Sequence, residues 1–267
     1  FDSLHLHQYN VAFAPGGGSR KPSTSKDLGQ IGQNKCGILF DSEPPSCYNR
    51  RMITSTRFQK SIKNASDSAN VLKPGSNNKK LGFNVTSKRW TGKKLYSLTL
   101  VERETCPTSC HHWEDCYGNN MPFAHRFSTD NLEAKLETEI AALIEAKPNG
   151  IVIRLHVLGD FYSVDYVKFW EDMLFKFPKL CLFGYTGRQL DTRIGNAIKI
   201  LNLRFGERCV IRHSWNKDSN GLAELYAAEE SFEGDSFTCP EQTGKVKNCA
   251  SCGLCWTSTK TVKFLSH

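Results

Sequence analysis

The sequence contains no apolar run that approaches the length of a membrane span, and its mean hydropathy is negative. A helical membrane protein is therefore not expected. The first residues, FDSLHLHQYNVAFAPGGG, lack the basic start and continuous apolar stretch of a secretory signal. This leads to the expectation of a cytoplasmic, reducing location, where structural disulfides are disfavoured and thiolates stay free. No internal repeat is visible. Acidic residues are scarce over positions 1–90, which hold 5 Asp and Glu against 14 Lys and Arg. The remaining 21 basic and 22 acidic residues nearly cancel, so all of the +8 net charge traces to the first third. That imbalance suits a polyanionic partner, nucleic acid or nucleotide, and equally a solvated, Lys-rich surface.

Hydrophobic periodicity is also scarce in residues 1–90, which are rich in Gly, Ser, Asn and Lys. The stretch Lys60–Lys80 reads as loop or linker. PGGG at 15–18 is a flexible turn with no helix pattern after it, so it makes a poor phosphate loop. At 267 residues the chain has room for one large domain or a core with appendages. The expected division is a basic, loop-rich segment 1–90, an α/β core 91–235 and a cysteine-rich module 236–267.

Cysteine, by contrast, is plentiful, with eleven in the chain. Seven fall into two tight groups: Cys106, Cys110 and Cys116 in TCPTSCHHWEDCYGNN, and Cys239, Cys249, Cys252 and Cys255 in TCPEQTGKVKNCASCGLCW. Thiolates spaced two or three residues apart on short turns can converge on one metal or cluster, whereas disulfide partners seldom sit so close. Metal or iron–sulfur ligation is thus expected for both groups. The three-cysteine set suits a [4Fe–4S] cluster with one iron left open, or zinc with His111 or His112 as a fourth ligand. The four-cysteine set would close a site, iron–sulfur or zinc. A merged site drawing on both groups is a further option. Cys181 and Cys209 lie in apolar strands as core residues, and Cys36 and Cys47 are isolated in the basic segment.

Order improves from residue 95. Strands are predicted at Leu95–Val101, Ile151–Leu158, Leu180–Tyr185 and Cys209–His213. Helices are predicted at Asp130–Ala146, from Ser163 to about Phe177, and at Ile194–Leu203. A loop and short helix are expected over 217–236. The alternation of strands and helices points to an α/β fold of parallel βαβ units, forming a partial barrel or open sheet. Ligands in such folds bind outside the carboxyl ends of the strands. Those ends here carry the first cysteine group, Gly159-Asp160, Tyr185-Thr186-Gly187-Arg188 and His213-Ser214-Trp215-Asn216. Asp160, Arg188 and His213 are the candidate catalytic residues, and Gly159 with Asp160 the candidate cofactor-binding turn. Asp160 is equally placed to cap the following helix. Strand alternation puts Arg154 and His156 on one face with Val152 and Leu158, where they form either an interior polar site or a satisfied core pair.

The segments RLHVLGDFYSVDYVKFWEDM, CPTSCHHWEDCYGNNM and CPEQTGKVKNCASCGLCW together resemble a phage and prophage family of the "gene product 88" type over roughly residues 85–267. That resemblance implies a phage or mobile-element setting and no particular reaction. A looser similarity is to radical S-adenosylmethionine enzymes. It implies that Cys106, Cys110 and Cys116 match a cluster loop, and that Gly159-Asp160 matches a turn binding the methionine amine. The chain departs from that pattern: its second cysteine gap has five residues where the family has two, and it has fewer strands than the family's six-stranded partial barrel. Three functions follow as expectations: an iron–sulfur enzyme modifying a nucleic-acid base or nucleotide by redox or radical chemistry; a non-catalytic nucleic-acid-binding protein with structural zinc; or a zinc-dependent hydrolase or base transferase using Asp160.

Overall fold

A computed structural model describes residues 53–110, 112–214, 223–226 and 236–265, the backbone alone for 223–226. Expectations for Cys36, Cys47, His111, Trp215, Asn216 and the 15–18 turn lie outside the described residues. All described residues belong to one compact unit, and among them no helix is long and apolar enough to cross a membrane.

The elements run β1 (Ile62–Lys63), β2 (Lys73–Pro74), β3 (Lys94–Ser97), β4 (Arg126–Phe127), α1 (Leu132–Ala146), β5 (Ile151–Leu155), α2 (Val164–Lys176), β6 (Leu180–Thr186), α3 (Arg193–Phe205), β7 (Cys209–His213), β8 (Ala223–Tyr226), β9 (Ser236–Thr238), α4 (Cys249–Cys252), α5 (Leu254–Thr257) and β10 (Thr261–Leu265). The main sheet has the order β2-β3-β5-β6-β7. Strands β3, β5, β6 and β7 are mutually parallel, and the two-residue β2 adds antiparallel at one edge. The fold is α/β, as the periodicity predicts. Parallel β8, β10 and β9 form a second sheet, and β1 pairs with β4. Residues 223–226, expected in a loop and short helix, are thus strand.

Period-2 alternation gives the main sheet two differently covered faces. Tyr96, Ile151, Ile153, Leu155, Leu180, Leu182 and Ile211 pack against the helices through Leu136, Ile140, Tyr166, Trp170, Leu174, Ile198 and Leu201. Leu95, Val152, Cys181 and Phe183 point the other way and pack under Leu81, Val85, Trp90, Ala250 and Trp256. The helix layer has conventional local signals. Ser163 Oγ accepts the Tyr166 N–H at 3.0 Å and caps α2, and Thr192 Oγ1 does the same for α3 through Gly195 N–H.

One expectation needs correction. The stretch Lys60–Lys80 is irregular outside the two-residue strands β1 and β2, yet it contributes to the core: Ala65, Val71 and Leu72 are buried, and Glu139 accepts the N–H groups of Val71 and Leu72. Buried irregular backbone must find side-chain acceptors, and here helix α1 supplies one. Trp90 stacks on Trp256 with ring centroids 5.1 Å apart. Ser87 Oγ donates to Ala250 O at 3.2 Å.

Candidate functional site

The carboxyl ends of the parallel strands open on a cavity of about 410 Å³, within the range of small-molecule pockets. Its lining includes Cys106, Cys110 and Cys116 from one cysteine group and Cys239, Cys249 and Cys255 from the other. Gly159 and Asp160, Thr186 and Gly187, and Ser214 come from the ends of β5, β6 and β7. Three successive strand ends and both cysteine groups therefore meet at one place.

The first group is delivered by a buried run. Beyond β3, Leu98 and Leu100 continue to pair with the β5 side: Leu98 N donates to Arg154 O, Val157 N to Leu98 O and Leu100 N to Leu158 O. The turn after β5 passes so close that a Cβ at Gly159 (φ +80°) would lie 2.6 Å from both Leu100 Cβ and Thr105 Oγ1. Only glycine fits there. The cysteine loop is then held by two buried arginines. Arg103 donates to Trp113 O and Asn119 Oδ1. Arg126, with no exposed surface, pairs with Glu102 at 2.7 Å and donates to Gly118 O, Met121 O, Ala124 O and Ser61 Oγ. Neither arginine carried a signal in the sequence, since both lie in loops without periodicity.

Asp160 is 4% exposed and accepts three hydrogen bonds of 2.7 Å, from Phe161 N, Gly187 N and Thr186 Oγ1, while its own N–H donates to Thr105 Oγ1. It does not cap α2, a task that falls to Ser163. It ties the end of β5 to the end of β6. Burial pushes its carboxyl up, and the Thr186 hydroxyl, Arg188 charge and two amides oppose that.

Arg188 and His213 are not among the residues lining the cavity. The Arg188 guanidinium donates to Phe161 O at 2.8 Å and Thr105 O at 2.9 Å, locking three chain segments together. His213 is buried with Nδ1 3.1 Å from Arg188 O. Burial lowers its basicity.

The expectation that Arg154 and His156 share a face is corrected. Strand β5 ends at Leu155, so the alternation does not carry through to His156. His156 instead turns to the helix layer, with Nε2 3.0 Å from the Tyr166 hydroxyl and its ring edge-on to Phe161. Arg154 lies on the other face, over the rings of Tyr185 (4.6 Å) and Phe183 (5.5 Å). Both still line the cavity.

None of the nine described cysteines is in a disulfide. Cys181 and Cys209 are core residues as expected, and burial pushes the Cys181 thiol up to about 11. Burial raises Cys106, Cys110 and Cys116, with Asp160 and the neighbouring sulfurs adding to it for Cys106. Burial likewise raises Cys249, Cys252 and Cys255, and Cys239 adds to it in each case. Burial thus favours the neutral thiol at Cys106, Cys110, Cys116, Cys249, Cys252 and Cys255, and a bound cation would deprotonate them. Among the described residues, no three His, Cys, Asp or Glu side chains stand close enough to grasp one ion directly, so ligation requires the sulfurs to turn inward. The donor chemistry fits a soft metal or cluster. His112, the described candidate for a fourth ligand, lines the cavity with Nδ1 3.2 Å from the Asp115 carboxylate. Comparison with family models, curated proteins and solved structures returns no match for this chain.

Proposed function

We propose that the protein is an iron–sulfur enzyme that modifies a nucleotide or nucleic-acid base by redox or radical-type chemistry. On this reading Cys106, Cys110 and Cys116 hold a [4Fe–4S] cluster, and the sheet is the open or partial-barrel support for it. The observation that carries the reading is the single cavity of about 410 Å³ shared by all three thiols and the Gly159-Asp160 turn at the carboxyl ends of the parallel strands. A cluster held by three thiolates leaves one iron for an exogenous ligand and supplies electrons to it. S-adenosylmethionine is the candidate co-substrate, on the strength of the resemblance noted above.

The chain's own residues have definable tasks. Asp160 and Arg188 fix the relative positions of the β5 and β6 ends and of Thr105, one residue before Cys106. Gly159 allows the turn to lie against Leu100 without a side chain between them. The apolar rings of Phe183 and Phe264 line the same space.

Anaerobic purification followed by a visible spectrum and an iron, sulfide and zinc count tests this. About four irons with a broad brown absorbance, lost in Cys110→Ser while the fold persists, is the expected result. Colourless protein without iron overturns the reading.

A further inference from the structure

The second cysteine group has surroundings of its own. Cys239, Cys249, Cys252 and Cys255 all line a separate small cavity of about 10 Å³, beside Trp256 and Val262. Two single-turn helices build it. Asn248 caps α4 by accepting the Ser251 N–H at 3.0 Å. Gly253 (φ +70°) turns the chain into α5 with no room for a Cβ, which would lie 2.5 Å from Ser87 Oγ. A space of this size takes roughly one water-sized sphere. That is the scale of one ion, and the sulfurs must turn inward to grasp it.

Charge supplies the second argument. Arg212, 2% exposed, gives its whole guanidinium to carbonyls: Cys255 O at 2.9 Å, Ser258 O at 2.5 Å and Lys260 O at 2.9 Å. Arg154 donates to Leu155 O at 2.9 Å and lies on the Tyr185 ring. Neither has a carboxylate partner among the described residues. A buried cation such as Arg212 is ordinarily paired with an anion, and Arg154 is half-buried. The Tyr185 hydroxyl donates to Cys255 Sγ at 2.8 Å, a hydrogen bond of the kind that supports a ligating sulfur. One divalent ion held by four thiolates, their protons released to solvent, carries a net charge of −2. Arg154 and Arg212, which meet carbonyl groups but no carboxylate among the described residues, match that charge.

We propose that Cys239, Cys249, Cys252 and Cys255 bind a single divalent ion of the zinc class as a tetrathiolate, with Arg154 and Arg212 as its built-in counter-ions. The site is independent of the three-cysteine loop and stands or falls separately from the enzymatic reading. Since Cys239, Cys249 and Cys255 line both cavities, this centre forms part of the wall of the larger one.

The test is a metal count on the chain with Cys106, Cys110 and Cys116 all changed to Ser. One zinc per chain without iron or sulfide is expected, and Cys252→Ser should abolish it. If the triple variant does not fold, cobalt substitution of the native chain takes its place. Thiolate-to-cobalt absorption should then survive Cys110→Ser and vanish in Cys252→Ser. In competition with a chromophoric chelator, Arg154→Gln should weaken zinc binding by roughly 10- to 100-fold with an unchanged circular dichroism spectrum. Arg154→Lys should recover most of that loss. Iron and sulfide in equal numbers at the four-cysteine site, no metal at all, or native zinc affinity in Arg154→Gln would each overturn the proposal.

Discussion

His156 stands where β5 gives way to the turn before Asp160, and its neutrality is enforced. Burial, with the Arg154 charge nearby, holds it down to about 3 against an ordinary 6.5. Between those values the unfolded chain takes up a proton that the folded chain refuses. The stability this group contributes is therefore complete above about pH 6.5 and is lost as pH falls toward 3. The loss approaches about 5 kcal/mol at the acid end. In denaturant titrations across pH, His156→Gln should show a shallower acid limb than the native chain; matching limbs would refute the assignment. Residues at this scale were unevenly legible. Arg154 and His156 announced themselves as polar groups in an apolar strand, and Arg212 in CVIRH belonged to the same pattern but went unread. Which way each side chain turned was hidden, because the alternation holds only while the strand lasts.

At the scale of elements, the helices and parallel strands were legible to within a few residues, since each carries its own periodicity and caps. The cysteine-loop scaffold was not. It is made of residues 98–127, where buried arginines bind carbonyl groups and no repeat exists to be read. Arg126 is the centre of that scaffold, and Arg126→Met would leave Glu102 buried without its partner. A destabilisation of about 3–5 kcal/mol is expected. Limited proteolysis should also cut between residues 104 and 124 faster than in the native chain. A variant with native stability and native cleavage rates would show that Arg103 alone holds the loop.

For the whole molecule, the informative fact is that the main sheet has one face covered by helices and the other by residues 81–90 and 250–256. The strands predicted the first cover, because βαβ units bring their helices with them. Nothing local predicted the second, which depends on segments far apart in sequence meeting across the sheet. Trp256, equal in size to its neighbour Trp90, is 1% exposed and packs against Trp90 and Phe183. Trp256→Ala should cost about 3–5 kcal/mol and raise the binding of a hydrophobic dye. Unchanged dye binding with a native melting curve would mean that the second cover adds little.

That second cover also has a kinetic meaning. The helix-covered half assembles from neighbouring strand–helix–strand units and needs only short closures. The other half waits for contacts such as Ser87 with Ala250, separated by 163 positions, and closures of that length come late. Until they form, Val152, Cys181 and Phe183 present an apolar strip on a sheet with exposed edges, the kind of surface on which chains capture one another. Refolding yield should accordingly fall as protein concentration rises, even where the finished fold is comfortably stable.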